Sequence, residues 1–136
     1  MAFTRENSIG NAIHSYATGE IQIIQNTLTN GIVEATLNTI TSNFIINPES
    51  IILDWSVNKL DDITEELITP IVTLEPDLVI LGVGQKMALP AVAINLMFQK
   101  FNIGIEVMDT AAACRTYNFL LTEGRNVAAA LIQITE

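Results

Sequence analysis

The chain has one cysteine, Cys114, and one histidine, His14, among 136 residues. A single thiol excludes an intrachain disulfide, and one thiol with one imidazole excludes a Cys/His zinc cluster. Cations are scarce too: six Lys and Arg stand against fifteen Asp and Glu, a formal charge of −9. Phosphate backbones and anionic bilayers repel such a chain, so neither nucleic acid nor a membrane surface is an expected partner. No apolar run approaches the roughly twenty residues of a membrane span. The most apolar window, residues 87–98, contains Pro90 and Asn95. The opening MAFTRENSIGN has no apolar stretch of a secretory signal and little of the arginine of a transit peptide. A cytoplasmic location is therefore expected.

Apolar residues are plentiful, at 49 %, with a mean hydropathy of +0.39. That composition excludes intrinsic disorder. The length suits one domain, residues 1–136, with 1–11 a loose N-terminal segment, and a core large enough to need no disulfide or metal. The acids are unevenly spread. Residues 1–76 hold ten acids and two bases, whereas residues 77–136 hold five and four. Any anion site is expected in the second part.

Isoleucine dominates the first part, and its branched Cβ favours pleated backbone. Ala12–Ala17 and Glu20–Gln25 read as a hairpin through Thr18-Gly19, and Asn30-Gly31 marks the turn into a strand ending near Ile40. Asn43–Asn47 and Ser50–Val57 read as further strands separated by Pro48. Thr64 is a helix cap before Glu65-Glu66, and Pro70 is expected to kink or divide that helix before Pro76 ends it. From residue 77 the pattern is β-α-β-α-β. Asp77–Leu81 is a strand buried on both faces, Gly82-Val83-Gly84 a turn, Pro90–Phe101 a helix and Gly104–Met108 a strand. Asp109 caps a helix from Thr110 to about Glu123, Gly124 stops it, and Asn126–Ile134 is the last strand. The first two of these strands should be parallel neighbours, which puts the turns after them on one rim.

That rim is the candidate ligand site. Gly82 and Gly84 permit close backbone approach and Lys86 follows; Asp109, Thr110 and Arg115 stand at the other turn. Together they form a candidate site for a small anion or nucleotide, with a weak enzyme using this crevice as the alternative to a binding or assembly protein. Each part also has a plain structural reading: a tight turn, a cap, a surface pair. Met87 stands where a dinucleotide loop needs its third glycine, and no GK[ST] follows. Cys114 reads as a small core residue and His14 as an edge-strand side chain. Asp61-Asp62 and Glu65-Glu66 read as acids around a helix start. The helix Pro90–Phe101 is apolar over most of its circumference, as expected of a helix covered on both sides or lying in an interface. No nucleophile–base pair or metal set emerges, so a non-enzyme is favoured, with no catalytic residue and no cofactor.

The run Gly104-Ile105-Glu106-Val107-Met108-Asp109-Thr110 and the AAACRTYNFLLTEGRNVAAALI that follows closely resemble one family. Glu106, Met108, Asp109, Thr110, Arg115, Thr116, Tyr117, Asn118, Leu120, Glu123, Arg125, Val127 and Ala129–Leu131 stand at its motif positions. Tyr16, Gly19, the stretch from Ile51 to Trp55, and Pro76 before DLVILGVG are similar as well. The family is the domain of unknown function 498/504, or Mth938-like, family, which includes mitochondrial complex I assembly factor 3. The resemblance implies a three-layer α/β fold: a mixed central sheet, helices packed against it and a β-hairpin layer from the N-terminal part. It also implies a non-catalytic role in assembly through unnamed protein partners, and a homo-oligomer is compatible with it. Within the motif, Asp109 is expected to cap, Thr116 to bond back into its helix, Asn118 to satisfy buried backbone, and Glu123 to pair with Arg125 across Gly124.

Overall fold

The computed structural model describes residues 10–85 and 92–135. Lys86 and Pro90 lie outside the described residues. Strands β1 (Gly10–Ala17), β2 (Glu20–Thr29) and β3 (Ile32–Ile40) form an antiparallel meander in that order. The turn into β3 has Asn30 at φ 53° and Gly31 at φ 80°, the left-handed pair an Asn-Gly hairpin requires. A bulge interrupts β1 between Ile13 and Ser15, and His14 is exposed there.

The second sheet has five strands: β4 (Phe44–Ile46), β5 (Ile51–Ile52), β6 (Leu78–Val83), β7 (Gly104–Met108) and β8 (Val127–Ile132), in the order β5-β4-β8-β6-β7. β6 is parallel to both β7 and β8, while β4 runs antiparallel to β8. The expected strand from Ser50 to Val57 shrinks to the two residues of β5, because Asp54 takes a φ of 57° that no ladder accommodates. Beyond that break the chain is anchored differently: Trp55 Nε1 donates to the Leu67 carbonyl at 2.9 Å.

Alternation along the strands feeds two cores. Val79, Leu81, Ala130, Ile132 and Ile45 face one side, where helices α1 (Glu65–Thr73) and α2 (Val92–Gln99) cover them with Ile68, Ile71, Ile94 and Phe98. Ile80, Ala129, Leu131, Phe44 and Ile46 face the other, beneath α3 (Thr110–Thr122) and the Ile13, Ile21 and Ile23 side of the meander. The result is three layers, as expected. Every residue of β8 is buried, and Ala128, Ala129 and Ala130 have no exposure at all.

α1 is capped by Thr64, whose hydroxyl accepts from Leu67 N–H at 3.3 Å. It runs through Pro70 as one helix and is not divided. Proline removes the N–H that would bond the Glu66 carbonyl, but Glu66 is exposed, so that carbonyl is not buried away from water. α2 has only one buried side: Ile94 and Phe98 are covered, Val92 and Leu96 exposed.

Candidate functional site

The ends of β6 and β7 lie side by side, with Leu81 opposite Val107 and Gly82 opposite Met108. The chain leaves β6 for α2 on one face of the sheet and leaves β7 for α3 on the other. Diverging connections at neighbouring parallel strands open a crevice in many α/β folds. Here that opening is stitched shut near its base. Gly84 N–H donates to Thr110 Oγ1 at 2.7 Å, and Thr110 N–H donates to the Gly84 carbonyl at 2.7 Å. The Thr110 hydroxyl in turn donates to the Ile132 carbonyl at 2.6 Å. Thr110 is wholly buried, and its hydroxyl both accepts and donates within the fold. Its work is to tie β6, β8 and the start of α3 together.

Gly82 is a strand residue, not part of a turn, and packing explains its lack of a side chain. A Cβ there would lie 3.0 Å from Thr110 Oγ1, 3.0 Å from Leu131 Cδ2 and 3.1 Å from Ala113 Cβ. Gly84 is the turn residue, with φ at 90°. Asp109 caps α3 as expected, its Oδ1 accepting from Ala112 N–H at 2.8 Å. Outside the stitch lies an open hollow of about 440 Å³ lined by Thr18, Gly84, Gln85, Asp109, Ala111 and Ile134. Asp109 is the only charged side chain among these described lining residues. Arg115 is not among them. It is exposed, and its Nη1 donates to the Tyr16 hydroxyl at 2.7 Å. The structure thus brings Gly82, Gly84, Asp109 and Thr110 together as a structural joint, with Arg115 directed to the meander.

The other motif residues divide by depth. Asn118 does what the sequence implied: its Oδ1 accepts from Ile13 N–H at 2.9 Å and its Nδ2 donates to the Ile13 carbonyl at 2.8 Å. One amide therefore serves both backbone groups of a β1 residue beside the bulge. The buried Tyr117 hydroxyl donates to the Asn11 carbonyl at 2.9 Å. Thr116 does not bond back into its helix; its hydroxyl donates to Met108 Sδ at 3.3 Å. Glu123 and Arg125 form no ion pair with each other. Both are exposed, and among the described residues the ion pair seen is Lys100 with Glu65 at 2.7 Å. Glu106 is exposed on β7. The sequence signal for the Tyr117 and Asn118 contacts was their neighbouring place on α3; their partners, more than 100 residues away, gave none.

Cys114 is buried, and burial pushes its thiol from 9.0 to about 12 against a weaker opposing pull from the Arg115 charge. Burial, with a smaller part from Glu49, also raises the Tyr117 phenol. Both groups give up a proton more readily unfolded than folded. Each contribution is intact below the unfolded value and declines as pH climbs towards the folded value, from about 9 for Cys114 and from about 10 for Tyr117. The slope is about 1.4 kcal/mol per pH unit for each fully shifted group. Urea unfolding between pH 7.5 and 10.5 should show this decline, and Cys114→Ala should flatten it. Iodoacetamide should label Cys114 only as fast as the protein unfolds; labelling at the rate of a free thiol would contradict the burial.

Comparison with known proteins follows this architecture. Among curated relatives, the NADH dehydrogenase [ubiquinone] 1 alpha subcomplex assembly factor 3 of Drosophila melanogaster is 38 % identical over 96 residues, which cover 65 % of this chain and 49 % of the relative. The protein of the same name from Rattus norvegicus is 34 % identical over 128 residues, covering 86 % of this chain and 69 % of the relative. The chain thus spans between half and about two thirds of these relatives. A crystal structure of a Bordetella parapertussis protein superposes with a TM-score of 0.73 at 28 % identity, over 93 % of this chain and 98 % of that one. A Bordetella pertussis protein described as a Mth938-like domain gives 0.70 at 24 %, over 93 % and 87 %, and shares the fold. The family described as "Protein of unknown function (DUF498/DUF598)" matches residues 13–132, so its second number is 598, not 504, and the chain belongs to it.

Proposed function

We propose that this chain is a non-catalytic, protein-binding protein of assembly type that acts in building a respiratory NADH dehydrogenase. The names of its relatives support an assembly role. The observation that carries the binding reading is a ridge on the helical face. Phe101, 47 % exposed, stands between two hollows of about 320 and about 310 Å³. Ile68 and Val72 supply apolar walls, and Glu65, Glu66, Glu75 and Asp77 supply the charged rim. Of these four acids only Glu65 has an ion pair among the described residues. An aromatic ridge between apolar walls and unpaired carboxylates fits a protein segment that is both basic and apolar. No helix among the described residues is long and apolar enough to cross a membrane.

The test is genetic and biochemical. Deleting the gene from its native cell should lower the amount of assembled NADH dehydrogenase on native gels. The wild-type gene should restore it, and Phe101→Glu should not, although the purified variant keeps its Tm within about 2 °C, as an exposed position allows. Complex levels unchanged by the deletion would refute the assembly role. Full restoration by Phe101→Glu would remove the ridge from it.

A further inference from the structure

We infer that the chain forms a two-fold symmetric dimer through β3, joining two meanders into one six-stranded antiparallel sheet. The meander has two edges, and the fold treats them differently. β1 is bent by its bulge, and the Asn118 amide occupies both backbone groups of Ile13. β3 has none of the usual protections of an edge strand. It is nine residues long, pairs with β2 in unbroken register, and contains no proline, no lysine and a single charge, Glu34. Among the described residues no strand pairs with its outer edge. Among the described residues, and apart from its bonds to β2, a backbone group is taken only at its end, where Gln133 Nε2 donates to the Ile40 carbonyl at 3.0 Å.

The surface beside that edge is apolar where a solvent-facing sheet should be polar. The β2–β3 register places Ile24 against Leu37 and Leu28 against Val33, on the side of the meander away from Ile21 and Ile23. Leu28 is 57 % exposed and Leu37 48 %.

Charge identifies the occupant. The chain is strongly acidic, so a second copy is repelled over most of its surface. Residues 10–40 carry only two charges, Glu20 and Glu34. A basic partner would gain little on this neutral patch, whereas a like-charged copy approaches it with little repulsion. The strand is also self-complementary. Antiparallel pairing about Thr36 sets Ala35 against Leu37, Val33 against Thr39 and Glu34 against Asn38, so the only charge on the strand meets a neutral amide. Residues 33–39 so paired exchange roughly six to eight backbone hydrogen bonds.

Sedimentation of the whole chain across concentration should show a monomer–dimer equilibrium. Asn38→Lys sets an ammonium against Glu34 twice per dimer and should tighten Kd by about threefold to tenfold; Asn38→Glu sets like charges together and should weaken it by a similar factor. Both variants lose the same exposed bond from Asn38 to Gln25, so a folding defect would not separate them. Thr36→Cys meets itself across the axis at a Cα separation of about 4.5–5.5 Å, within disulfide reach, and mild oxidation should give a covalent dimer. A monomer at every concentration overturns the inference. So does a dimer that is indifferent to the charge at position 38 and fails to cross-link through position 36.

Discussion

Replacing Thr110 by valine is expected to lower stability by about 2–5 kcal/mol, the largest single-residue effect we foresee. Valine keeps the shape of threonine and removes only the hydroxyl. That hydroxyl serves two buried backbone groups, the N–H of Gly84 and the carbonyl of Ile132. Each loses its partner inside the protein, and an orphaned buried group costs about 1–3 kcal/mol. Against a typical total of about 5–15 kcal/mol the loss is severe. Thr110→Ser is the control. It keeps the hydroxyl and gives up a methyl group, so it should cost about 1 kcal/mol. Urea titrations of the three proteins give the comparison directly. If valine and serine were equally mild, the joint between the two loops would not be the structural bond described, and the hydroxyl would be free for a ligand.

Asn118→Leu is expected to act locally. The substitution removes two hydrogen bonds to Ile13, whose side chain is buried at the junction of the meander and α3. The loss should be about 1.5–3 kcal/mol, felt mainly as opening of the meander. In native-state hydrogen exchange, amides of β1 should exchange roughly tenfold to a hundredfold faster, while those of β6 and β8 keep their rates. Tyr117 holds Asn11 independently, so the meander should loosen without detaching. Uniform acceleration across both sheets would show instead that the three layers open as one unit.

The sequence carried most of the elements because their signals are local. The Asn30-Gly31 turn, the apolar runs before Gly82 and Asp109, the Asp109 cap and the Gly124 stop each act within a few residues. The parallel neighbourhood of β6 and β7, the premise for one rim, was legible from the β-α-β pattern. What was not legible depends on distant partners. Gly82 resembles a turn glycine in sequence, and only the approach of Thr110, Ala113 and Leu131 shows it to be a packing glycine. The bond from Arg115 to the Tyr16 hydroxyl, 99 residues earlier, has no local signal either. For Thr116 and the Glu123–Arg125 pair, closeness within the motif shows neither that Met108 lies within reach of the threonine nor that the two charges remain in solvent. Pro70 and Asp54 show the converse. At Pro70 the helix-breaking tendency of proline gives way because the freed Glu66 carbonyl is not buried, and at Asp54 a single left-handed residue overrides strand propensity.

The run of three alanines in β8 has a consequence beyond packing. It lies in the middle of the larger sheet, with Ala129 turned towards α3 and Ala130 towards the opposite helices. Methyl groups there leave both neighbouring layers seated close to the sheet. A bulkier side chain at Ala129 would lift α3, and every grip that helix exerts, on Gly84, Ile13 and Asn11, would be drawn out of reach at once. The smallest side chains of the strand thus set the spacing on which bonds between residues more than 100 apart in the chain depend.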